Sequence, residues 1–271
     1  MKPMTIGIIG CGNISNIYMK NAPRFPILKL KSCADINQAA ADAKAAEHNI
    51  QSTSVDAMLA DPEIEMIINL TIPAVHAEIN NKILNAGKHA YAEKPIATTL
   101  DDARATLALA KKKKLRVGCA PDTFLGAGLQ TCRKIIDDGW IGKPLSGTAF
   151  MLGFGPEGWH PNPAFFYKKG AGPMLDVGVY YMTALVHLLG PATAVTAVTG
   201  RGYPYRLATC KEHFNEKLDI EVPTHYAGVI EFKSGALITT TVSFDIRKHT
   251  HCPIEIYGES GTLSVPDPNT F

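Results

Sequence analysis

Thr5-Ile6-Gly7-Ile8-Ile9-Gly10-Cys11-Gly12-Asn13-Ile14-Ser15 is the stretch whose reading decides the fold of this chain. The apolar run reads as a short buried strand, the two glycines as a tight turn, and the residues beyond as the start of a helix. The first glycine permits the turn. The second lets backbone approach a pyrophosphate, whose charge a helix N-terminus favours. Ser15 stands where dinucleotide-binding turns carry a third glycine or alanine, and it is small enough for close helix–strand packing. Gly10, Gly12, Asn13 and Ile14 are therefore expected to line a dinucleotide. A helix through 16–22 ends near Pro23, and a second strand over 27–34 delivers Asp35, 25 residues after Gly10. That spacing suits the carboxylate that accepts from a ribose 2′-hydroxyl. No arginine follows in the turn, which favours NAD, with NADP as the alternative. Asp35 as the N-cap of the alanine-rich helix 37–48 is the other reading of the same residue.

The alternation continues downstream. Residues 66–70 read as a strand, and Thr71-Ile72-Pro73-Ala74-Val75-His76 turns into a helix ending at Gly87. His76 falls in the first turn of that helix, either facing the cofactor crevice or solvated. A strand over 88–91 leads into Ala92-Glu93-Lys94-Pro95. Lys94 then lies at the carboxyl end of a strand, where open parallel sheets place their ligands. Pro95 fixes its own φ and restricts Lys94, so the amine is carried on stiff backbone. Thr98 to Asp102 start a helix whose lysine-rich end, 111–114, suits the macrodipole. Residues 115–119 read as a further strand. Strands alternating with helices predict an α/β, doubly wound parallel sheet of Rossmann type over residues 1–121.

A length of 271 residues is comfortable for two domains. Apolar content of 46% with 19% charged residues describes an ordinary globular chain. A net charge of +2 gives no electrostatic footprint for nucleic acid or an anionic membrane. No apolar run is long enough to span a bilayer, and Met1-Lys2-Pro3-Met4 leads straight into a strand without a signal-peptide core. The expected location is cytoplasmic, and the six scattered cysteines are expected to be reduced. Cys210 with His213, or His249 with His251, could each form half a metal site. No second pair completes either, so no metal is expected.

Residues 122–271 read as a second, α+β domain. A helix over 122–140 leads to a strand over 145–153. The Gly-, Pro- and aromatic-rich stretch 153–172 is too long for a bland linker and reads as a loop packed over a pocket, with Trp159 and His160 at its tip. Gly170-Ala171-Gly172-Pro173-Met174-Leu175-Asp176-Val177-Gly178-Val179-Tyr180-Tyr181 opens a helix running to Gly190. Asp176 and Tyr180 are four apart, so one helical face presents both. A first-turn acid beside a core tyrosine is the plain structural alternative. Strand-like segments at 193–199, 222–232, 235–243, 252–257 and 261–265 then predict an open, mostly antiparallel sheet. Val242, Phe244 and Ile246 alternate along what is expected to be its uncovered face.

Gly10-Cys11-Gly12-Asn13-Ile14, Thr71-x-Pro73-x-x-His76 and Ala92-Glu93-Lys94-Pro95 occur in the order and spacing of a known family. The chain resembles, along its whole length, the glucose-fructose oxidoreductase/inositol dehydrogenase/rhizopine-catabolism (MocA-like) family, and the Glu-Lys-Pro motif is the most specific part. The resemblance implies an NAD(P)-dependent oxidoreductase acting on a secondary alcohol or ketone of a sugar, cyclitol or similar polyol. It implies Lys94, Asp176 and Tyr180 as the catalytic residues. Tyr180 would exchange the hydroxyl proton, Lys94 would lower its pKa and stabilise alkoxide charge, and Asp176 would orient the substrate. Thr71, Ile72, Pro73, His76, Glu93 and Lys94 are expected on the cofactor side. Trp159 and His160 join the catalytic residues on the substrate side, and His160 is the competing proton relay. Most members carry histidine where this chain has Tyr180, and the acid usual three residues later is Thr183 here. Two other activities share the pattern: glycosidic cleavage by transient oxidation at bound NAD, and dinucleotide-responsive regulation without turnover. Relatives form dimers or tetramers, so a homodimer or homotetramer is expected. They also continue past the last hairpin, so a chain truncated at Phe271 is expected.

Overall fold

The computed structural model describes residues 2–270. The chain divides after Ala120 into two compact units. The first runs β1 (Met4–Ile9), α1 (Ser15–Asn21), β2 (Leu28–Ala34), α2 (Gln38–His48), β3 (Gln51–Ser52), α3 (Val55–Ala60), β4 (Met66–Asn69), α4 (His76–Asn85), β5 (His89–Ala92), α5 (Leu100–Lys113) and β6 (Val117–Cys119). Its six strands pair in the order β3-β2-β1-β4-β5-β6, all parallel. The strand order reverses between β1 and β4, the place where such sheets bind ligands. The strands read as apolar runs because both faces are covered. Ile6, Ile8 and Cys33 pack with Met19 and Ala41 on one side. Ile9 and Ile67 pack with Met58, Ile83 and Leu84 on the other. Strand β3 has two polar residues and no periodicity, which is why the sequence left its position open. Lys31 on β2 donates to Asp61 at 2.6 Å and Glu63 at 2.8 Å, tying β2 to the loop before β4.

The second unit holds α6 (Ala127–Asp137), β7 (Pro144–Leu152), α7 (Val179–Leu189), β8 (Ala192–Gly200), β9 (Tyr205–Leu207), β10 (Lys217–Asp219), β11 (His225–Phe232), β12 (Leu237–Ser243), β13 (Ile254–Gly258) and β14 (Thr262–Val265). Its sheet order is β14-β13-β7-β12-β11-β8. The pairs are antiparallel except β7 with β12. The short β9–β10 pair stands apart, and its three-residue strands are too short to show a period.

One expectation about this sheet is wrong. Val242 is 0% and Phe244 5% exposed, packed in a core with Leu185, Leu188, Ile238 and Ile254. The alternation was right and the face was inverted: helix α7 covers it. The opposite face carries Leu237, Thr239 and Thr241, with Ser146, Thr148 and Phe150 across from them on β7. Val229 and Val198 continue that face on β11 and β8 and remain open to solvent.

Candidate active site

The glycine turn differs in kind at its two glycines. Gly10 has φ +103°. A Cβ there would lie 2.5 Å from the backbone carbon and oxygen of Leu70, so glycine is required by both conformation and contact. Gly12 has no heavy atom within 4 Å of where a Cβ would lie, and Gly12, Asn13 and Ile14 are all exposed. Open space beside exposed backbone is what a pyrophosphate needs. Ser15 fills the third fingerprint position fully buried, donating its hydroxyl to Gly12 O at 2.7 Å. Asp35 accepts from Cys11 N at 2.7 Å and from Asn37 N at 2.8 Å. The N-cap of α2 is Asn37, so Asp35 does not cap that helix and instead stands at the rim of the turn. These residues fit a dinucleotide.

The ends of β4 and β5 form a second cluster. Asn69, 0% exposed, accepts from Thr71 N at 3.2 Å and Thr71 Oγ1 at 2.7 Å. Its amide nitrogen donates to His76 O and to Asn80 Oδ1, each at 3.0 Å. His76 is 1% exposed, which removes the solvated reading. Its ring nitrogens face two carbonyls: Nδ1 lies 2.6 Å from Pro95 O, and Nε2 lies 2.9 Å from Thr71 O. Thr71 and Pro73 are half-buried, whereas Ile72 presents its side chain to solvent. Glu93 accepts from Tyr18 Oη at 2.6 Å and from Lys94 N at 3.1 Å. Lys94 is half-buried, and the Lys94–Pro95 peptide is cis. Sequence reasoning missed Asn69 and Tyr18. A polar residue ending the apolar run Met66-Ile67-Ile68 was the available signal for Asn69. Tyr18 offered none, because its partner lies 75 residues away.

In the second unit, the helix carrying Asp176 opens with a π turn over Met174–Gly178 and continues as α7. Asp176 lies at the centre of that turn, half-buried, and Tyr180 is buried one turn on. Such single-turn π segments are frequent at functional sites. Gly178 lets the helix sit close on the sheet: a Cβ there would lie 3.2 Å from Val242 Cγ1. The aromatic-rich loop is anchored from below. Glu157 is buried and accepts from Arg206 at 2.8 Å, and Arg206 also donates to Asp245 and to Phe244 O, each at 2.5 Å. The Phe154 and Tyr203 rings flank its guanidinium at 4.3 and 4.6 Å. Burial beside the Glu157 carboxylate pushes the Tyr167 hydroxyl above its ordinary ionisation range. Trp159 at the tip is 69% exposed, and His160 packs on Trp159, Phe165 and Phe166. No local pattern marks Arg206, since its partners come from two distant loops.

Among the described residues no three His, Cys, Asp or Glu side chains converge as a metal-binding group. The His249 and His251 rings stack 6.3 Å apart, and His213 faces Glu216 at 2.8 Å.

The profile described as "Oxidoreductase family, NAD-binding Rossmann fold" matches residues 4–120, and the "GFO/IDH/MocA C-terminal domain" profile matches residues 129–264. The chain belongs to the GFO/IDH/MocA oxidoreductase family. It is 27% identical to the scyllo-inositol 2-dehydrogenase (NAD(+)) of Bacillus subtilis, over 95% of this chain and 72% of that one. It is 26% identical to the 1,5-anhydro-D-fructose reductase of Ensifer adhaerens, over 95% and 74% of the two chains. Across curated relatives the chain spans from 47% to 74% of their length. An NAD-binding oxidoreductase from Klebsiella pneumoniae has the same fold, with TM-score 0.82 at 22% identity over 98% of this chain and 73% of that one. A GFO/IDH/MocA chain carries its NAD on the Rossmann unit, and here the open turn at Gly12 and the carboxylate of Asp35 are the groups that fit it. Among the described residues, no helix is long and apolar enough to cross a membrane.

Proposed function

We propose that the protein is an NAD-dependent dehydrogenase acting on a secondary alcohol, or the corresponding ketone, of a sugar or cyclitol. The observation that carries this reading is that three proton-handling side chains come on stiffly held backbone. Lys94 follows β5 in a turn fixed at Glu93, and Asp176 and Tyr180 ride one helix packed on a sheet. Relatives named for inositol and anhydrofructose substrates support the substrate class. Bound NAD supplies the hydride acceptor. The backbone at Gly10, Gly12, Asn13 and Ile14 holds its phosphates, and Asp35 accepts from its ribose. Thr71, Ile72 and Pro73 border it on the β4 side. Tyr180 takes the proton of the substrate hydroxyl, and the Lys94 ammonium favours the alkoxide charge that develops as that proton leaves. Asp176 accepts from a neighbouring hydroxyl and fixes the sugar's orientation. Trp159 offers an exposed ring on which a sugar face can stack, beside His160.

A cytoplasmic site of action accords with six cysteines that are all free thiols. A second copy of the chain, held on the open face of the second sheet, completes the assembly we propose.

A screen of NADH absorbance over sugars, inositols and diols tests the reading. Turnover with a cyclic polyol and tighter calorimetric binding of NAD than of NADP are expected. Tight NAD binding with no NADH formed across the panel would instead mark a regulator. Release of a free sugar without net NADH would mark a glycosidase.

A further inference from the structure

We propose that His76 is a positioning residue for Lys94, an inference that rests on the catalytic reading of Lys94 given above. Lys94 is gripped on both sides. Upstream, its own N–H donates to the Glu93 carboxylate, which Tyr18 holds from α1. Downstream, Pro95 has no N–H to offer, so its carbonyl is the backbone group through which the turn can be tied at that residue. Nδ1 of His76 lies 2.6 Å from that carbonyl. Carbonyl oxygens only accept, so the imidazole is the donor.

The ring is itself held in place. Its Nε2 lies 2.9 Å from Thr71 O, its own backbone carbonyl accepts from Asn69, and Asn69 takes both the N–H and the hydroxyl of Thr71. One buried frame therefore joins the segment that borders the cofactor, Thr71 to Pro73, to the turn that carries the lysine. With 1% exposure, His76 has almost no surface to offer a ligand directly. Its effect reaches the chemistry through Pro95.

The two ring nitrogens can be separated by substitution. The amide nitrogen of asparagine falls where Nδ1 was and keeps a donor for Pro95 O. That of glutamine falls where Nε2 was, beside Thr71 O, and leaves Pro95 O without its donor. His76→Asn is expected to keep kcat within about threefold, and His76→Gln to lose about tenfold, the worth of one positioning hydrogen bond. NAD affinity and the KM for NAD should stay within about threefold in both. In a Lys94→Met background, His76→Gln should cost nothing further. Equal loss of kcat in the two variants, or a fresh tenfold loss in the Lys94→Met background, overturns the inference alone. Collapse of NAD affinity in both variants overturns it in favour of a direct cofactor role. Full turnover by Lys94→Met overturns the reading of Lys94 and this inference with it.

Discussion

At the scale of single residues, the proposal turns on one proton and the groups that handle it. Tyr180→Phe keeps the buried ring and removes the ionisable oxygen, so folding and NAD affinity should hardly change. Turnover should fall by roughly two to four orders of magnitude, the usual worth of general acid–base catalysis. Lys94→Met should cost a similar amount, and the double variant should be scarcely worse than either, because both act on one transfer. Steady-state kinetics of the three variants check this. Near-full activity in Tyr180→Phe with none in His160→Asn would give the relay to the loop. Short motifs mark these residues in the sequence as candidates. Their supports carry no such mark. Asn69, Tyr18 and Arg206 bond partners remote in the chain, and no local pattern reports such pairs.

At the scale of elements, the glycine turn and the β2 tether make opposite kinds of test. Gly10→Ala forces a side chain into left-handed backbone and against Leu70, with strain alone on the order of 1–3 kcal/mol. Gly12→Ala meets nothing in the protein. Thermal unfolding should therefore show a clear loss of Tm for Gly10→Ala and almost none for Gly12→Ala. Calorimetry should show NAD affinity at least about tenfold weaker in Gly12→Ala, because the methyl takes the room the pyrophosphate needs. Unchanged affinity there would remove the turn from the cofactor site. At the tether, hydrogen bonds from Lys31 hold the Asp61 and Glu63 carboxyls below their ordinary range. A carboxyl lowered in the folded state contributes stability above its unfolded pKa and loses it as pH falls through the folded value. Lys31→Met should lower Tm near neutral pH, and the difference from the parent should vanish once the medium is more acidic than the carboxylate range. A gap that persists in acid would assign the tether's effect to packing of the lysine stem. Helix and strand periodicity foretold most of these elements. Strand β3 and the β9–β10 pair escaped because two- and three-residue strands have too few positions for a period to show.

At the scale of the whole chain, the two-part architecture followed from a change of rhythm in the sequence, strand–helix alternation giving way to consecutive strands. What the rhythm could not say was which face of the second sheet lies open, since a period of two marks both faces equally. Val242 and Phe244 are inside, so the proposed homo-oligomer uses the other face. That face is built of Leu237, Val229, Val198 and a set of threonines, with Leu237 49% and Val198 73% exposed. Apolar, β-branched and weakly charged, it suits a second copy of itself, and the most frequent assembly of identical chains is a two-fold dimer. In such a dimer Leu237→Lys places two ammonium groups near one another in a surface meant to be dry, while leaving the covered face untouched. Sedimentation velocity at micromolar concentration should show a dimer or tetramer for the parent and a monomer for Leu237→Lys. Far-ultraviolet circular dichroism should be the same for both. Val242→Lys would buckle the core instead and lose the fold. A parent chain that sediments as a monomer at that concentration would sink the assembly proposal, and a Leu237→Lys variant that stays associated would move the interface to another surface.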